Sequence, residues 1–340
     1  MSSYEFIKPR SRGKTLIIVE GNHEKNVLFQ LLFKSFPELD IEIDNVWIYG
    51  TNIYGLYNLI VREYDDDWNY FDIDLPYIVS KNKNGMEIQY KRDFTNIFLV
   101  FDYERHDPNF SEEKITKLQK YFSDSTDMGK LYINYPMIES YQHLEMGKEN
   151  EYINAMIPVS LQPGEKYKAS VRDNYIAQLV NYIERIPRLL KEHYGLSPNA
   201  TSVCVDKIFL ISNQQNCKEQ IRQILSDNIS SEYISTATYQ LNDWLQKMNY
   251  INVGTNLYKY LRVLFIKIIK WNIIKARRIV MFDTMCSIDK WYECLEDIDL
   301  VDILQKQNEY SRDFVNGIIY VLNTCVFLVA DYNYKLLEQK

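Results

Sequence analysis

The feature that most constrains this chain is an unbroken apolar run, Thr15-Leu-Ile-Ile-Val19. It ends on Glu20-Gly21-Asn22 and gives way to Val27, Leu28, Leu31 and Leu32, spaced as one face of a helix. A short β-branched run without polar alternation reads as a strand buried on both faces, and a glycine turn into an amphipathic helix starts a parallel α/β unit. Pro37 comes soon after that helix should stop. The pattern recurs. Ile43 to Tyr49 reads as a second strand, Gly50-Thr-Asn-Ile-Tyr-Gly55 as a turn, and Leu56, Leu59 and Ile60 as a helix face. Asn96-Ile-Phe-Leu-Val-Phe101, ending at Asp102, is a third strand, with a helix over about Ser111 to Phe122 behind it. Leu131 to Tyr135 is a fourth, halted by Pro136 and followed by a helix from about Ile138. This alternation predicts an α/β fold, a parallel sheet with helices on both faces.

An insertion at about 65–95 separates the second and third units. It opens with Asp65-Asp66-Asp67 beside Trp68, Tyr70 and Phe71, and Tyr77 to Tyr90 reads as a hairpin turning at Lys83-Asn84-Gly85. A solvated loop is the first reading of its acidic start, and docking of a basic protein the second. After about residue 150 the texture changes: Arg172 to Tyr194 is helical, Lys207 to Ile211 reads as a short strand, and the rest as long amphipathic helices. A chain of 340 residues suits two domains. The expectation is a catalytic domain over 13–150 and a mainly helical domain over 151–340 for substrate or partner binding.

Charge bears on partners. With 39 Lys+Arg against 46 Asp+Glu the net charge is −7, so nucleic acid would have to be met by a local basic patch. Leu245 to Phe282 holds no acidic residue but eight basic ones, among them Lys267, Lys270, Lys275, Arg277 and Arg278 as candidate nucleic-acid contacts. The next stretch reverses sign, with Asp283, Asp289, Glu293, Glu296, Asp297, Asp299 and Asp302 against Lys290, so internal pairing is an equal alternative. Five scattered cysteines, including Cys286, and four histidines, with no C-x-x-C pair, give neither a zinc ribbon nor a disulfide framework. The first 14 residues hold no apolar signal core, and Lys259, Arg262, Lys267 and Lys270 break up the most hydrophobic stretch. A cytoplasmic protein without a membrane partner is expected. No G-x-x-x-x-G-K-[ST] occurs, so any ATP dependence must come from another polypeptide.

In parallel α/β sheets reactive groups collect beyond the carboxyl ends of the strands. Glu20 follows the first strand, Asp102, Glu104 and Asp107 follow the third, and Glu139 lies just past the fourth. Each has a bland reading alone: Glu20 as turn chemistry, Asp102 to Pro108 as a solvated loop, Glu139 as helix-terminus electrostatics. Together they are carboxylates at one sheet edge, which need cations between them, and hard oxygen ligands suit Mg²⁺ or Mn²⁺.

These residues also resemble a known family. Ile17-Ile-Val-Glu-Gly21 with Glu24 resembles the first motif of the TOPRIM fold, and Phe98-Leu-Val-Phe-Asp-Tyr-Glu104 its D-x-D motif. Tyr135-Pro-Met-Ile-Glu139 resembles the proline-then-glutamate motif of TOPRIM nucleases related to the OLD family. The layout looks most like the TOPRIM effectors of two-component, PARIS-type abortive-infection systems, which act against phage beside an ABC-type ATPase. The resemblance implies cleavage of DNA or of an RNA such as tRNA, with two metal ions held by Glu20, Asp102, Glu104 and Glu139. Glu20 and Asp102 are then the catalytic pair, Glu24 and Asp107 are lesser candidate ligands, and a homodimer is possible. The second D-x-D position is Glu104 rather than Asp, which leaves Glu104 and Asp107 as rivals for the second ion. The alternative is a catalytically inactive TOPRIM-like binding or regulatory protein.

Overall fold

The computed structural model describes residues 14–161, 164–281 and 287–338; residues 1–13, Phe282, Asp283 and Cys286 lie outside the described residues. Strands β1 (Thr15–Val19), β2 (Val46–Ile48), β3 (Asn96–Asp102), β4 (Ser123–Asp124) and β5 (Gly129–Asn134) form a sheet in the order β2-β1-β3-β5-β4. All neighbours run parallel except β4, which is antiparallel to β5. Every residue of β1 is buried and β3 and β5 nearly so, as a sheet covered on both faces requires. The second strand is shorter than its apolar run, because Ile43–Asn45 forms a 3₁₀ turn. Its outer edge is blunted: the Lys25 ammonium donates to the Val46 carbonyl at 2.8 Å, and that of Lys83 to the Ile48 carbonyl.

The connection from β1 to β2 steps one way across the sheet, and those from β2 to β3 and β3 to β5 step the other. Right-handed connections therefore send their helices to opposite faces. Ile53–Tyr64 and Glu112–Tyr121 pack against each other, while Gln30–Ser35 packs against the long helix Leu257–Met281. Asn52 and Ser111 cap the first two, accepting from the Gly55 and Lys114 amides.

The hairpin expected over 77–90 is absent. Leu75–Lys81 is a helix instead, with Asp74 as its cap accepting from the Tyr77 amide and Pro76 in its first turn. Those signals were in the sequence, and they outweigh the β-rich composition that follows. Trp68 anchors the insertion, fully buried against Tyr57 and Tyr121 at 5.9 and 5.1 Å between ring centroids.

Later residues are mostly helical, including Gly164–Val171, Tyr175–Arg188, Pro198–Phe209, Ser231–Lys247 and Leu300–Ser311. The strand expected over 207–211 falls at the end of Pro198–Phe209, which Ser197 caps. A two-stranded antiparallel sheet joins β6 (Met156–Pro158) to β7 (Ile318–Tyr320). Beyond β7 the chain returns to the main sheet. Tyr135 and Leu322 exchange backbone hydrogen bonds at 2.8 Å, and the Thr324 hydroxyl donates to the Ile133 carbonyl at 2.8 Å. Residues on both sides of the expected division near 150 thus share one layer of packing. Among the described residues no helix is long and apolar enough to cross a membrane.

Candidate metal centre

The chain leaves β1 toward β2 on one side and returns to β3 on the other, so the crevice of this sheet lies between the carboxyl ends of β1 and β3. Glu20 and Asp102 sit there. Val19 pairs with Val100, the Glu20 amide donates to the Val100 carbonyl at 3.2 Å, and the Asp102 amide donates to Glu20 Oε2 at 3.3 Å. Glu104 lies two residues on, with a left-handed φ of 34° that L-residues seldom adopt. One carboxylate oxygen from each of Glu20, Asp102 and Glu104 lies within 4.8 Å of the others.

Glu139 comes from the 3₁₀ helix Ile138–His143 that follows β5, where a helix from about Ile138 was expected. The turn is held from behind, since Asn323 Nδ2 donates to the Ile138 carbonyl at 2.8 Å. Glu139 is 6 % exposed and takes an ion pair from Lys168 at 2.9 Å. Lys168 stands on the helix Gly164–Val171, which approaches the turn closely because a Cβ at Gly164 would meet the Met137 Cε at 2.5 Å. Glu24 is buried in the first turn after β1, accepting backbone hydrogen bonds from Gly21 and from its own amide, and feels the charge of Glu139.

The result is a crowd of carboxyl groups that resist ionising together. Burial, reinforced by Glu104 and Glu24, pushes the Glu20 carboxyl up to about 8. Burial and the charges of Glu20, Glu24, Glu139 and Glu104 hold Asp102 well above the usual range. Glu24 and Glu104 are raised too, burial first and the neighbouring carboxylates Glu139 and Asp107 after it. Lys168 is half exposed; burial works against its charge, but Glu139, Asp102 and Glu24 outweigh it and raise the ammonium. Its single charge faces five carboxylates, Glu20, Glu24, Asp102, Glu104 and Glu139. Two of their oxygens, Asp102 Oδ1 and Glu139 Oε2, are buried without a hydrogen-bond partner among the described residues. Buried anionic oxygens without donors are costly, and a hard cation satisfies them. The donor set fits a divalent ion.

Of the acidic residues expected here, Glu20, Glu24, Asp102, Glu104 and Glu139 come together and Asp107 does not. Asp107 neighbours Glu104, but it accepts from the Asn52 side-chain amide at 2.5 Å and from the Asn109 backbone amide at 2.6 Å and is outside the close group of Glu20, Asp102 and Glu104. Glu104 is thereby the rival brought to the cluster. His23 borders it, with Nε2 buried and unpartnered and burial pulling its imidazole down. His143 packs on Tyr167 and is pushed down to about 4, while His106 binds the Val159 carbonyl. Lys168 was missed: a lysine on a polar helix face carries no signal until the fold brings Glu139 beside it.

The five candidate nucleic-acid contacts do not form one surface. Lys275 is fully buried, its ammonium donating to the Tyr152 and Ala155 carbonyls at 2.6 and 2.7 Å. That corrects its expected role, because the lysine ends the helix Glu149–Asn154 instead of meeting solvent. Arg277 pairs with Asp297 at 2.8 Å, the internal pairing offered as the alternative, and Lys270 lies over the Trp291 ring at 5.2 Å. Lys267 is exposed and Arg278 half-buried.

No protein-family model, no curated protein and no solved structure matches the chain.

Raised carboxyls make a testable statement about pH. The folded state keeps protons that the unfolded chain releases, so their contribution to stability falls as pH rises, for Glu20 from about 4.5 to about 8. Each proton held differentially contributes at most about 1.4 kcal/mol per pH unit. In EDTA the thermal midpoint should drop between pH 5.5 and pH 8 by more in the parent than in Glu20→Gln. Equal drops would place Glu20 in a solvated site.

Proposed function

We propose that this chain is a TOPRIM-like, divalent-metal-dependent nuclease. The observation that carries the reading is the meeting of Glu20, Asp102 and Glu104 at the carboxyl edge of a parallel sheet, beside Asp102 Oδ1 and Glu139 Oε2, which no group among the described residues satisfies. Glu20, Asp102 and Glu104 would hold one Mg²⁺ or Mn²⁺ ion, and Glu139 with Glu24 are the carboxylates available to a second. When bound, such ions stabilise charge on a phosphodiester and make water more acidic. Within the metal-free chain, burial and its acidic neighbours keep a proton on Glu20 up to about pH 8, so uptake of an ion near neutral pH would displace that proton. Asp102 and Glu139 orient through their buried positions at strand and turn, and Lys168 offsets part of the negative charge that would repel a nucleic-acid backbone. The role as toxic effector of an anti-phage system, the partner ABC-type ATPase, a cytoplasmic location and the choice of DNA or RNA rest on the sequence resemblance.

Incubating the purified chain with plasmid and with total RNA tests the reading. Cleavage of one or both in Mg²⁺ or Mn²⁺, abolished by EDTA, is expected. Cleavage that survives EDTA would remove the metal dependence, and no cleavage even with the ATPase partner present would remove the nuclease assignment and leave a binding protein.

A further inference from the structure

Within residues 103–107 every side chain is tied to the surrounding protein except that of Glu104. The buried Tyr103 hydroxyl donates to Asn308 Oδ1 at 2.7 Å and lies 2.8 Å from Ser311 Oγ. Arg105 is 5 % exposed; its Nε donates to the Ser311 carbonyl at 3.2 Å and an Nη to that of Arg312 at 3.4 Å. Its guanidinium lies 4.2 Å from the ring centroids of both Phe110 and Phe314. His106 is bonded to the Val159 carbonyl and Asp107 to Asn52. The Glu104 carboxylate accepts no hydrogen bond among the described residues and lies with Glu20 and Asp102.

A buried guanidinium with no carboxylate partner among the described residues is unusual. Here the acceptors are the last carbonyls of the helix Leu300–Ser311 and its cap, where unsatisfied oxygens and the helix dipole both favour a cation. Two aromatic faces add attraction to the same group. The backbone between these two anchors, Tyr103 and Arg105, is the left-handed Glu104. Such a conformation is strained for a residue with a side chain and persists only when its surroundings over-determine it.

We propose that Arg105 is a positioning residue for the metal centre. Docked on the end of the helix Leu300–Ser311, it holds Glu104 in its left-handed conformation with the carboxylate beside Glu20 and Asp102. The proposal rests on the metal reading above, and it makes the far end of the chain a determinant of ligand geometry at the sheet edge.

Titration of Mn²⁺ into the full chain at pH 8, followed by the loss of free-ion electron paramagnetic resonance signal, tests it as a double-mutant cycle. Arg105→Lys keeps the charge but loses the planar fork, and should weaken Mn²⁺ binding about tenfold. Phe314→Ala removes a half-exposed ring, leaves the strands untouched and should weaken binding about threefold; it carries the test if Arg105→Lys fails to fold. In a Glu104→Gln background, whose remaining carboxylates still bind more weakly, neither substitution should weaken binding further. An equal loss with and without Glu104, or no loss in either variant, overturns the positioning role while leaving the metal centre intact. Absence of Mn²⁺ binding by the parent overturns the metal reading, and this proposal with it.

Discussion

Asp102→Asn should lower metal-dependent cleavage by about a thousandfold or more and, in the same protein, raise the thermal midpoint measured in EDTA at pH 8. The first effect follows from removing an anionic ligand at the end of β3, in a site whose chemistry depends on a cation. The second follows from the company Asp102 keeps. It is buried, its Oδ1 has no partner among the described residues, and Glu20, Glu24, Glu139 and Glu104 all act against its ionisation. Asparagine has the same shape and no charge to desolvate. A gain of about 1–3 kcal/mol, a few degrees in a chain of this size, is the expected order. Active sites that trade stability for function behave this way. The pairing of outcomes is diagnostic: lost cleavage with a lowered midpoint would point to a damaged fold and not to a lost ligand. Glu20→Gln should follow the same pattern.

The second large effect concerns Lys168, which supplies the only ammonium paired with the cluster among the described ion pairs. A divalent ion entering near Glu139 meets this fixed positive charge. At half exposure the effective dielectric is high, so the repulsion is worth only about 1 kcal/mol. Lys168→Met should therefore tighten Mn²⁺ binding roughly threefold to tenfold, whereas Glu139→Ala should weaken it several-fold by deleting a ligand. Opposite signs from the two partners of one ion pair separate a counter-charge from a ligand. A loss of affinity in Lys168→Met would mean that the lysine orders Glu139 instead of competing for it.

Much of the architecture was legible because parallel strands buried on both faces leave continuous apolar runs, as in Thr15–Val19 and Asn96–Asp102. The acidic residues were legible for the same reason, since each stands where such a run ends. What the sequence hid depends on long-range packing. Lys275 looked like part of a basic face until the helix Leu257–Met281 turned it toward the carbonyls of Tyr152 and Ala155. Arg105 looked like loop solubility until Ser311, Arg312, Phe110 and Phe314 closed on it. Lys168 and Glu139 stand 29 positions apart, and no local pattern announces their ion pair. The helix Leu75–Lys81 was missed for another cause: Asp74 and Pro76 mark a helix start, but the residues after them favour strand.

Calorimetric titration of Mn²⁺ into the purified full-length chain at pH 8, beside Asp102→Asn, addresses the metal centre without waiting for a substrate. The account predicts saturable binding by the parent, reversed by EDTA, and at least tenfold weaker binding by the variant. A parent that takes up no ion at millimolar Mn²⁺, or a variant that binds as tightly as the parent, would contradict it.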